Sequence, residues 1–200
     1  VAQEWFARAH AVDRSAVYPL FMWNCLWKSG ASIPHGHAQV SLTRRMHYGK
    51  VERERRAAIA YRQQTGRGYF DDIFCVHEQL GLGRQVNSVR VYAHLTPLKE
   101  KETVLLAPAF DEDLARAMGQ VVRCLVDELN VTSFNLVAWL PPLVATPEDW
   151  SDMPVVVRVV DRGDPLSRTS DFGAMELYAA SVVASDPFRV ADVLWRCLTQ

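Results

Sequence analysis

Two histidines and a glutamine alternate in the segment His35-Gly36-His37-Ala38-Gln39. Side chains at every second position of an extended strand point the same way, so this spacing predicts that the three side chains share one face. A neutral imidazole can act as a nucleophile, and a glutamine amide can donate hydrogen bonds to an oxyanion. The spacing alone also fits two strand histidines that only form hydrogen bonds within the fold.

A turn of small residues, Ser29-Gly30-Ala31-Ser32, precedes the histidines. Glycine adopts backbone conformations that other residues avoid, and small side chains let a ligand come close to the backbone. Successive N–H groups in such a turn form a concave site for anions. We therefore expect free N–H groups here to hold a phosphate beside the histidines.

Composition limits the partners that the chain can bind. The 200 residues are 49% hydrophobic and include 22 basic and 23 acidic side chains, for a formal net charge of -1. This balance provides no general attraction for nucleic acid or for an anionic membrane, so a phosphate ligand must be held locally. No apolar run approaches the ~20 residues that cross a bilayer, and we predict no signal peptide. The length is that of one domain.

The cysteines and the remaining histidines are scattered along the chain. Cysteines stand at Cys25, Cys75, Cys124 and Cys197, without a C-x-x-C pair. This spacing predicts neither a zinc ribbon nor a disulfide framework, and we expect a reducing, cytoplasmic location. Four isolated histidines are expected to be ordinary buried or surface residues: His10, His47, His77 and His94.

Periodicity predicts the elements that must position the motif. Helices are expected at 2–12 and 50–64, from a cap at Asp71 or Asp72 to the glycines at 81 and 83, from Asp111 to Asn130, and from 187 through 195. Strands are expected at 17–23, 36–42, 87–95, 103–106, 134–139 and 155–160, with a turn at 24–31 and an ambiguous segment at 175–183. This order indicates an α+β fold with a mostly antiparallel sheet and helices on one side.

A longer pattern surrounds the histidines: Gly30-Ala31-Ser32-x-x-His35-x-His37-x-Gln39, with Asn24 six residues before the glycine. It resembles the active-site motif of the galactose-1-phosphate uridylyltransferase family, a branch of the histidine triad superfamily in which glutamine replaces a third histidine. Less specific resemblance covers nearly the whole chain. It implies a histidine-triad-like, mostly antiparallel sheet with flanking helices. It also implies a single uridylyltransferase-like domain over residues 1–200, holding part of the first half-repeat and a degenerate second half.

The resemblance implies a chemical role for each residue of the motif. His37 would attack the α-phosphorus of a nucleotide and form a covalent nucleotidyl-histidine. A hydrogen bond from its other ring nitrogen, commonly to a backbone carbonyl, would orient the neutral imidazole. Gln39 would stabilise charge on a phosphoryl oxygen, with His35 as a supporting member of the catalytic group. The implied phosphate and nucleotide contacts are Asn24, Gly30, Ala31 and Ser32.

Two metal sites of the family match this sequence only in part. One combines the first motif histidine, here His35, with cysteines and a histidine upstream, so we expect zinc only if such ligands exist outside this chain. The other uses a helix glutamate, matched by Glu54, together with later histidines. Residues 155–160 read Val-Val-Val-Arg-Val-Val where histidines would stand. We therefore predict no metal ligands and no certain cofactor.

The resemblance leaves the substrate open. It implies a nucleotide or nucleotide-sugar substrate, a homodimer, and no nucleic-acid or membrane partner. Residues 171–176 match the family's hexose-recognition passage loosely, which makes Glu176 a candidate for sugar binding. The alternatives to a transferase are a phosphorylase or hydrolase of dinucleoside polyphosphates or nucleotide sugars, and a non-catalytic nucleotide-binding protein.

Overall fold

A computed structural model describes residues 1–170 and 172–198. Its strands are β1 Ala16–Cys25, β2 Ala38–Arg44, β3 Gly83–Val86, β4 Val89–Ala93, β5 Thr103–Ala107, β6 Phe134–Trp139 and β7 Val155–Asp161. Within the described residues these seven strands form one sheet, in the order β2-β1-β6-β7-β5-β4-β3. Every neighbouring pair is antiparallel. The predicted α+β fold with a mostly antiparallel sheet and flanking helices is confirmed.

Helices cover both faces of this sheet. They are α1 Ala2–Val12, α2 Gly49–Thr65, α3 Tyr69–Gln79, α4 Glu112–Asp127, α5 Ala174–Leu177 and α6 Pro187–Leu198, and a 3-10 turn spans Trp27–Ser29. Residues of α1, α4 and α6 pack into one apolar core, and residues of α2 and α3 pack into a second core on the opposite face. The prediction of helices on one side is therefore wrong. The reason is visible in β5, which is buried at every position and so needs cover on both faces.

The amphipathic helix predicted after Asp111 is confirmed as α4. The Asp111 carboxylate accepts a hydrogen bond from the Leu114 N–H at 3.0 Å, which satisfies a backbone donor that the helix itself leaves open. Leu114, Val121 and Leu125 lie on one face and are almost completely buried. Helical spacing thus places the apolar residues of α4 on the sheet.

Two parts of the sequence prediction need correction. The short strand β3 was not expected; it pairs with β4 through a tight turn in which Asn87 adopts a positive φ of 53°. The helix α3 starts at Tyr69 after Gly68, without a side-chain cap. Asp72 lies inside the first turn and accepts a hydrogen bond from the Tyr61 hydroxyl at 2.7 Å, so it is not available as a cap.

A disulfide bond between Cys124 and Cys197 joins α4 to α6, with the two Cα atoms 6.0 Å apart. The prediction from cysteine spacing is wrong for this pair. The partners are 73 residues apart in sequence, and only the packing of the two helices brings them together. Among the helices of the described residues, none combines the length with the apolar character that a membrane span requires.

Candidate active site

The motif lies at one edge of the sheet, in the connection between β1 and β2 and in the first residues of β2. The last paired residues of this hairpin are Met22 with Gln39 and Trp23 with Ala38. Because β2 begins at Ala38, two residues after the predicted start at Gly36, the prediction that His37 lies on the strand is wrong. Pro34 has no N–H for a ladder, and residues 32–35 form a bend instead. Gln39 does lie on the strand and is exposed.

His37 is held by its Nδ1 nitrogen, which lies 3.0 Å from the backbone carbonyl oxygen of His35. A carbonyl oxygen only accepts, so Nδ1 carries the hydrogen and the neutral ring keeps its lone pair on Nε2. The ring is half-buried, and Nε2 has no hydrogen-bond partner within residues 1–170 and 172–198. The imidazole is therefore oriented as a nucleophile requires.

The turn before the histidines differs from its predicted form. Gly30 has a φ of 89°, the left-handed conformation that glycine adopts without strain. Its N–H donates to the Trp27 carbonyl at 2.9 Å, and the Ala31 N–H donates to the Leu26 carbonyl at 3.2 Å. The expectation of free N–H groups is therefore wrong for these two residues, because the 3-10 turn uses them. Ser32, which follows, is exposed.

Asn24 belongs to β1 and not to the predicted turn, and it faces Asn135 of β6 in the ladder. Residues two apart on a strand share a face, so Asn24 lies on the same face as Met22 and as Gln39, the partner of Met22. The Asn135 amide donates to Asn24 Oδ1 at 2.6 Å and to the Ser29 carbonyl at 2.9 Å. The candidate contacts Asn24 and Gln39 thus lie together on one face of the sheet edge.

Comparison with solved structures identifies the architecture. A uridylyltransferase mutant and a uridylyltransferase both superimpose with a TM-score of 0.79 at 16% sequence identity, over 99% of this chain. This chain has the uridylyltransferase fold. An ADP-glucose phosphorylase from Arabidopsis thaliana, solved with bound ADP-glucose, also matches, with a TM-score of 0.70 at 16% identity over 96% of this chain.

The chain spans about two thirds of the length of these solved structures, with shares of 68%, 65% and 62%. No family model matches the sequence. No curated protein matches it either. At this level of identity the likeness establishes the uridylyltransferase fold, and the roles of individual residues rest on the geometry described above.

Glu54, which the resemblance matches to a metal-binding glutamate, lies beside two cations. Glu54 Oε1 lies 3.4 Å from Arg158 Nη1 and 4.0 Å from Lys50 Nζ. A guanidinium and an ammonium repel a metal cation, so this set of side chains does not fit a metal site. His35 is exposed, and the described residues contain no group of three or more His, Cys, Asp or Glu side chains that could hold a metal ion.

Glu176 borders a cavity of about 400 Å³ that is also lined by Asp161, the last residue of β7. Its carboxylate pairs with Lys99 at 3.0 Å and accepts the Gly173 N–H at 2.9 Å, and these contacts hold its pKa below the usual range. Lys99 and Arg162 also line this cavity. Asp171, the first residue of the loosely matching passage, lies outside the described residues. Glu176 therefore remains a prediction as a sugar contact.

The four isolated histidines form hydrogen bonds with the backbone of the fold, as expected for ordinary buried or surface residues. His10 Nδ1 lies 3.0 Å from the Ala16 carbonyl. The other three each accept a backbone N–H, which requires a neutral ring: His47 from Tyr48, His77 from Leu95, and His94 from Thr96. Burial lowers the pKa of each of these three, and that of His94 to about 4.

Sequence reasoning missed two residues of this region, Asn135 and Arg162. Arg162 donates Nη1–H to Asn135 Oδ1, and its backbone N–H donates to the Ser133 carbonyl at 2.8 Å. A signal was present in the sequence, because Asn135 is the one polar residue of Phe-Asn-Leu-Val-Ala-Trp. Its pairing with Asn24 could not be inferred, since it depends on the β1–β6 register.

Proposed function

We propose that this chain is a nucleotidyltransferase that transfers a nucleoside monophosphate through a covalent intermediate on His37. The observation that carries the proposal is the bond between His37 Nδ1 and the His35 carbonyl, which leaves Nε2 as the nucleophilic atom. The uridylyltransferase fold around this histidine supports it. Ser32 and Gln39 are two further polar residues of the motif that are exposed and lie near His37 in sequence. In this proposal both contact the phosphate.

The proposed reaction has two steps, and in each of them one bond to the α-phosphorus forms while another breaks. Nε2 of His37 attacks the α-phosphorus of a nucleoside diphosphate sugar, a nitrogen–phosphorus bond forms, and the bond to the departing sugar 1-phosphate breaks. An oxygen of a second phosphate then attacks the same phosphorus and releases His37. The Nδ1 hydrogen stays on the ring throughout, where the His35 carbonyl stabilises the positive charge that develops. Gln39 donates to a non-bridging oxygen as charge shifts onto it.

Intact-mass measurement tests the proposal. The protein is incubated with UDP-glucose or with ADP-glucose, and the expected product is an adduct heavier by one nucleoside monophosphate. His37→Ala removes the nucleophile and His37→Gln removes it with less change in size; neither is expected to form the adduct. Absence of an adduct from every nucleotide donor, or an equal adduct in His37→Ala, overturns the proposal.

A second candidate is a phosphorylase, favoured by the match to an ADP-glucose phosphorylase. The first step is the same, and inorganic phosphate serves as the acceptor in the second. The isolated adduct is therefore incubated in separate samples with inorganic phosphate and with hexose 1-phosphates. The acceptor that releases the nucleotide faster identifies the activity. A hydrolase releases nucleoside monophosphate in buffer alone, and a non-catalytic protein binds nucleotide without forming the adduct.

We also propose a homodimer of single uridylyltransferase-like domains, each spanning residues 1–200. Exposure of Ser32, His35 and Gln39 supports the dimer, because a second subunit can cover a site that lies open on one chain. Size-exclusion chromatography with light scattering measures the mass in solution. A monomer at micromolar concentration contradicts this part of the proposal.

A further inference from the structure

Asn135 connects the two segments that carry the candidate phosphate contacts. It lies directly opposite Asn24 in the β1–β6 ladder, where facing residues project their side chains to the same side. Its amide nitrogen lies 2.6 Å from Asn24 Oδ1 and 2.9 Å from the Ser29 carbonyl, in the turn that leads to the histidines. One side chain thereby holds both the strand and the turn.

The orientation of the Asn135 amide follows from its neighbours. Arg162 has only donors, and its Nη1–H faces Asn135 Oδ1. The Ser29 carbonyl has only acceptor capacity, and it faces Asn135 Nδ2. The oxygen and nitrogen of an amide are similar in size, so the hydrogen-bond network decides which atom lies where. Both neighbours here require the same orientation.

This orientation determines that of Asn24 in turn. Because Asn135 presents an N–H, Asn24 must turn its carbonyl oxygen toward it. The Nδ2 group of Asn24 then points away, and its hydrogens have no acceptor within residues 1–170 and 172–198. Phosphate oxygens accept hydrogen bonds and do not donate them, so an amide helps to bind phosphate only through its N–H side.

We propose that Asn135, held by Arg162, is a positioning residue that keeps the N–H donors of Asn24 directed at the phosphate of a bound nucleotide. The inference rests on the proposed function, since it takes Asn24 as a phosphate contact. A reversed Asn24 amide would place its carbonyl oxygen against phosphate oxygens. Asn135 acts through Asn24 and through the Ser29 turn, without contact to the substrate.

Rates of adduct formation with UDP-glucose test this role. Asn135→Asp keeps the shape but removes both N–H donors, and its carboxylate attracts the N–H side of Asn24 inward. The expected slowing is about 10²–10³-fold, the cost of one lost donor to the transition state. Asn135→Ala leaves Asn24 free to turn either way, so a smaller loss of about tenfold is expected. Asn87→Asp makes the same change in an exposed turn and is expected to keep the wild-type rate.

A double-variant comparison separates amide orientation from added charge. In an Asn24→Ala background no amide remains to be oriented, so Asn135→Asp is expected to slow the reaction by no more than about twofold further. Equal slowing in both backgrounds overturns the proposal, because the effect is then one of charge. A wild-type rate in Asn135→Asp overturns it as well.

Failure of the proposed function gives a different result, because the wild-type protein then forms no adduct. In that case calorimetric titration with UDP still tests the orientation of Asn24. Asn135→Asp is expected to weaken UDP binding by more than about tenfold relative to Asn87→Asp, the loss of one hydrogen bond to a charged group. Equal affinity of the two variants overturns the proposal. Thermal unfolding monitors the fold, and Asn135→Ala serves for both measurements if the aspartate variant does not fold.

Discussion

The His37 imidazole donates its Nδ1 hydrogen to the main-chain carbonyl of His35, over 3.0 Å. The ring of His35 takes no part in this bond, although the two ring centroids lie only 5.8 Å apart. Orientation of the nucleophile thus depends on the backbone path of the segment, and the two histidines of the motif differ in what their side chains contribute.

The first prediction concerns this difference. His35→Ala keeps the carbonyl that holds His37, so we expect the variant to form the nucleotidyl adduct within about tenfold of the wild-type rate. His37→Ala forms none. The measurement is intact mass after timed incubation with UDP-glucose. If the two variants lose activity equally, the imidazole of His35 is itself required.

The second prediction concerns Gln39, which is exposed on β2 and shares its face with Asn24. Gln39→Ala removes the proposed donor to the phosphoryl oxygen and should slow adduct formation by about 10²–10³-fold. Ser41→Ala is the matched control, two residues further along the same face of β2. The rate constant of adduct formation decides the matter, and equal rates in the two variants would contradict the role of Gln39.

The third prediction is a loss of stability in acid. His94 is kept neutral by burial, with a pKa of about 4. An unfolded histidine titrates near 6.5, so between about pH 6.5 and 4 the unfolded chain binds protons that the folded chain does not. The contribution of the neutral His94 to the free energy of unfolding is fully present above that range, and about 3 kcal/mol of it is lost by pH 4. His47 and His77 add losses in the same direction.

Urea unfolding at a series of pH values between 7.5 and 4.5 measures this loss. A His94→Asn variant has no imidazole to protonate at this position, so its free energy of unfolding is expected to depend less steeply on pH than that of the wild type. Parallel curves for the two proteins would show that His94 does not contribute.

The fourth prediction concerns an ion pair in the interior. Arg158 Nε lies 2.5 Å from Glu102 Oε1, and the two side chains are 13% and 1% exposed. Arg158→Met leaves the Glu102 carboxylate buried without its cation, which should cost about 3–5 kcal/mol in the free energy of unfolding. The double variant with Glu102→Gln should recover most of this loss, as denaturant titration would reveal. No recovery would mean that Arg158 acts by packing alone.

The fifth prediction concerns the Cys124–Cys197 disulfide. Its reduction should lower the free energy of unfolding by about 2–4 kcal/mol, because the bridge restricts the unfolded chain. Denaturant unfolding with and without dithiothreitol measures the effect in the wild type. Cys197→Ser should be insensitive to the reductant, while Cys75→Ser, which lacks only a free thiol, should respond as the wild type does.

Local patterns were sufficient to predict most of the fold. The spacing of Leu114, Val121 and Leu125 predicts α4, and the apolar run at 134–139 predicts β6, because each depends on side-chain periodicity within one segment. β3 has only four residues and no apolar run, so no such pattern marks it. Helices on both faces could not be inferred from alternation, since burial of both sides of a strand depends on elements far away in sequence.

Within the candidate site, the sequence predicted one local contact and missed the geometry around it. The motif located His37 and anticipated a carbonyl partner for its ring, and the structure contains that bond. It misplaced the start of β2 by two residues and assumed N–H groups that the turn at Gly30 already uses. Asn135 and Arg162 depend on strand register and loop packing, which lie beyond any short motif.

The strand order has a consequence for how this protein tolerates change. The histidine motif lies at the β2 edge, whereas Arg158 lies in the central strand β7, Glu102 directly precedes β5 and His94 directly follows β4. Substitutions at distant, non-contacting sites usually act independently. In a deep mutational scan, variants of His37 and Gln39 should therefore lower turnover with little change in cellular abundance, whereas variants of Glu102 and Arg158 should lower the abundance itself.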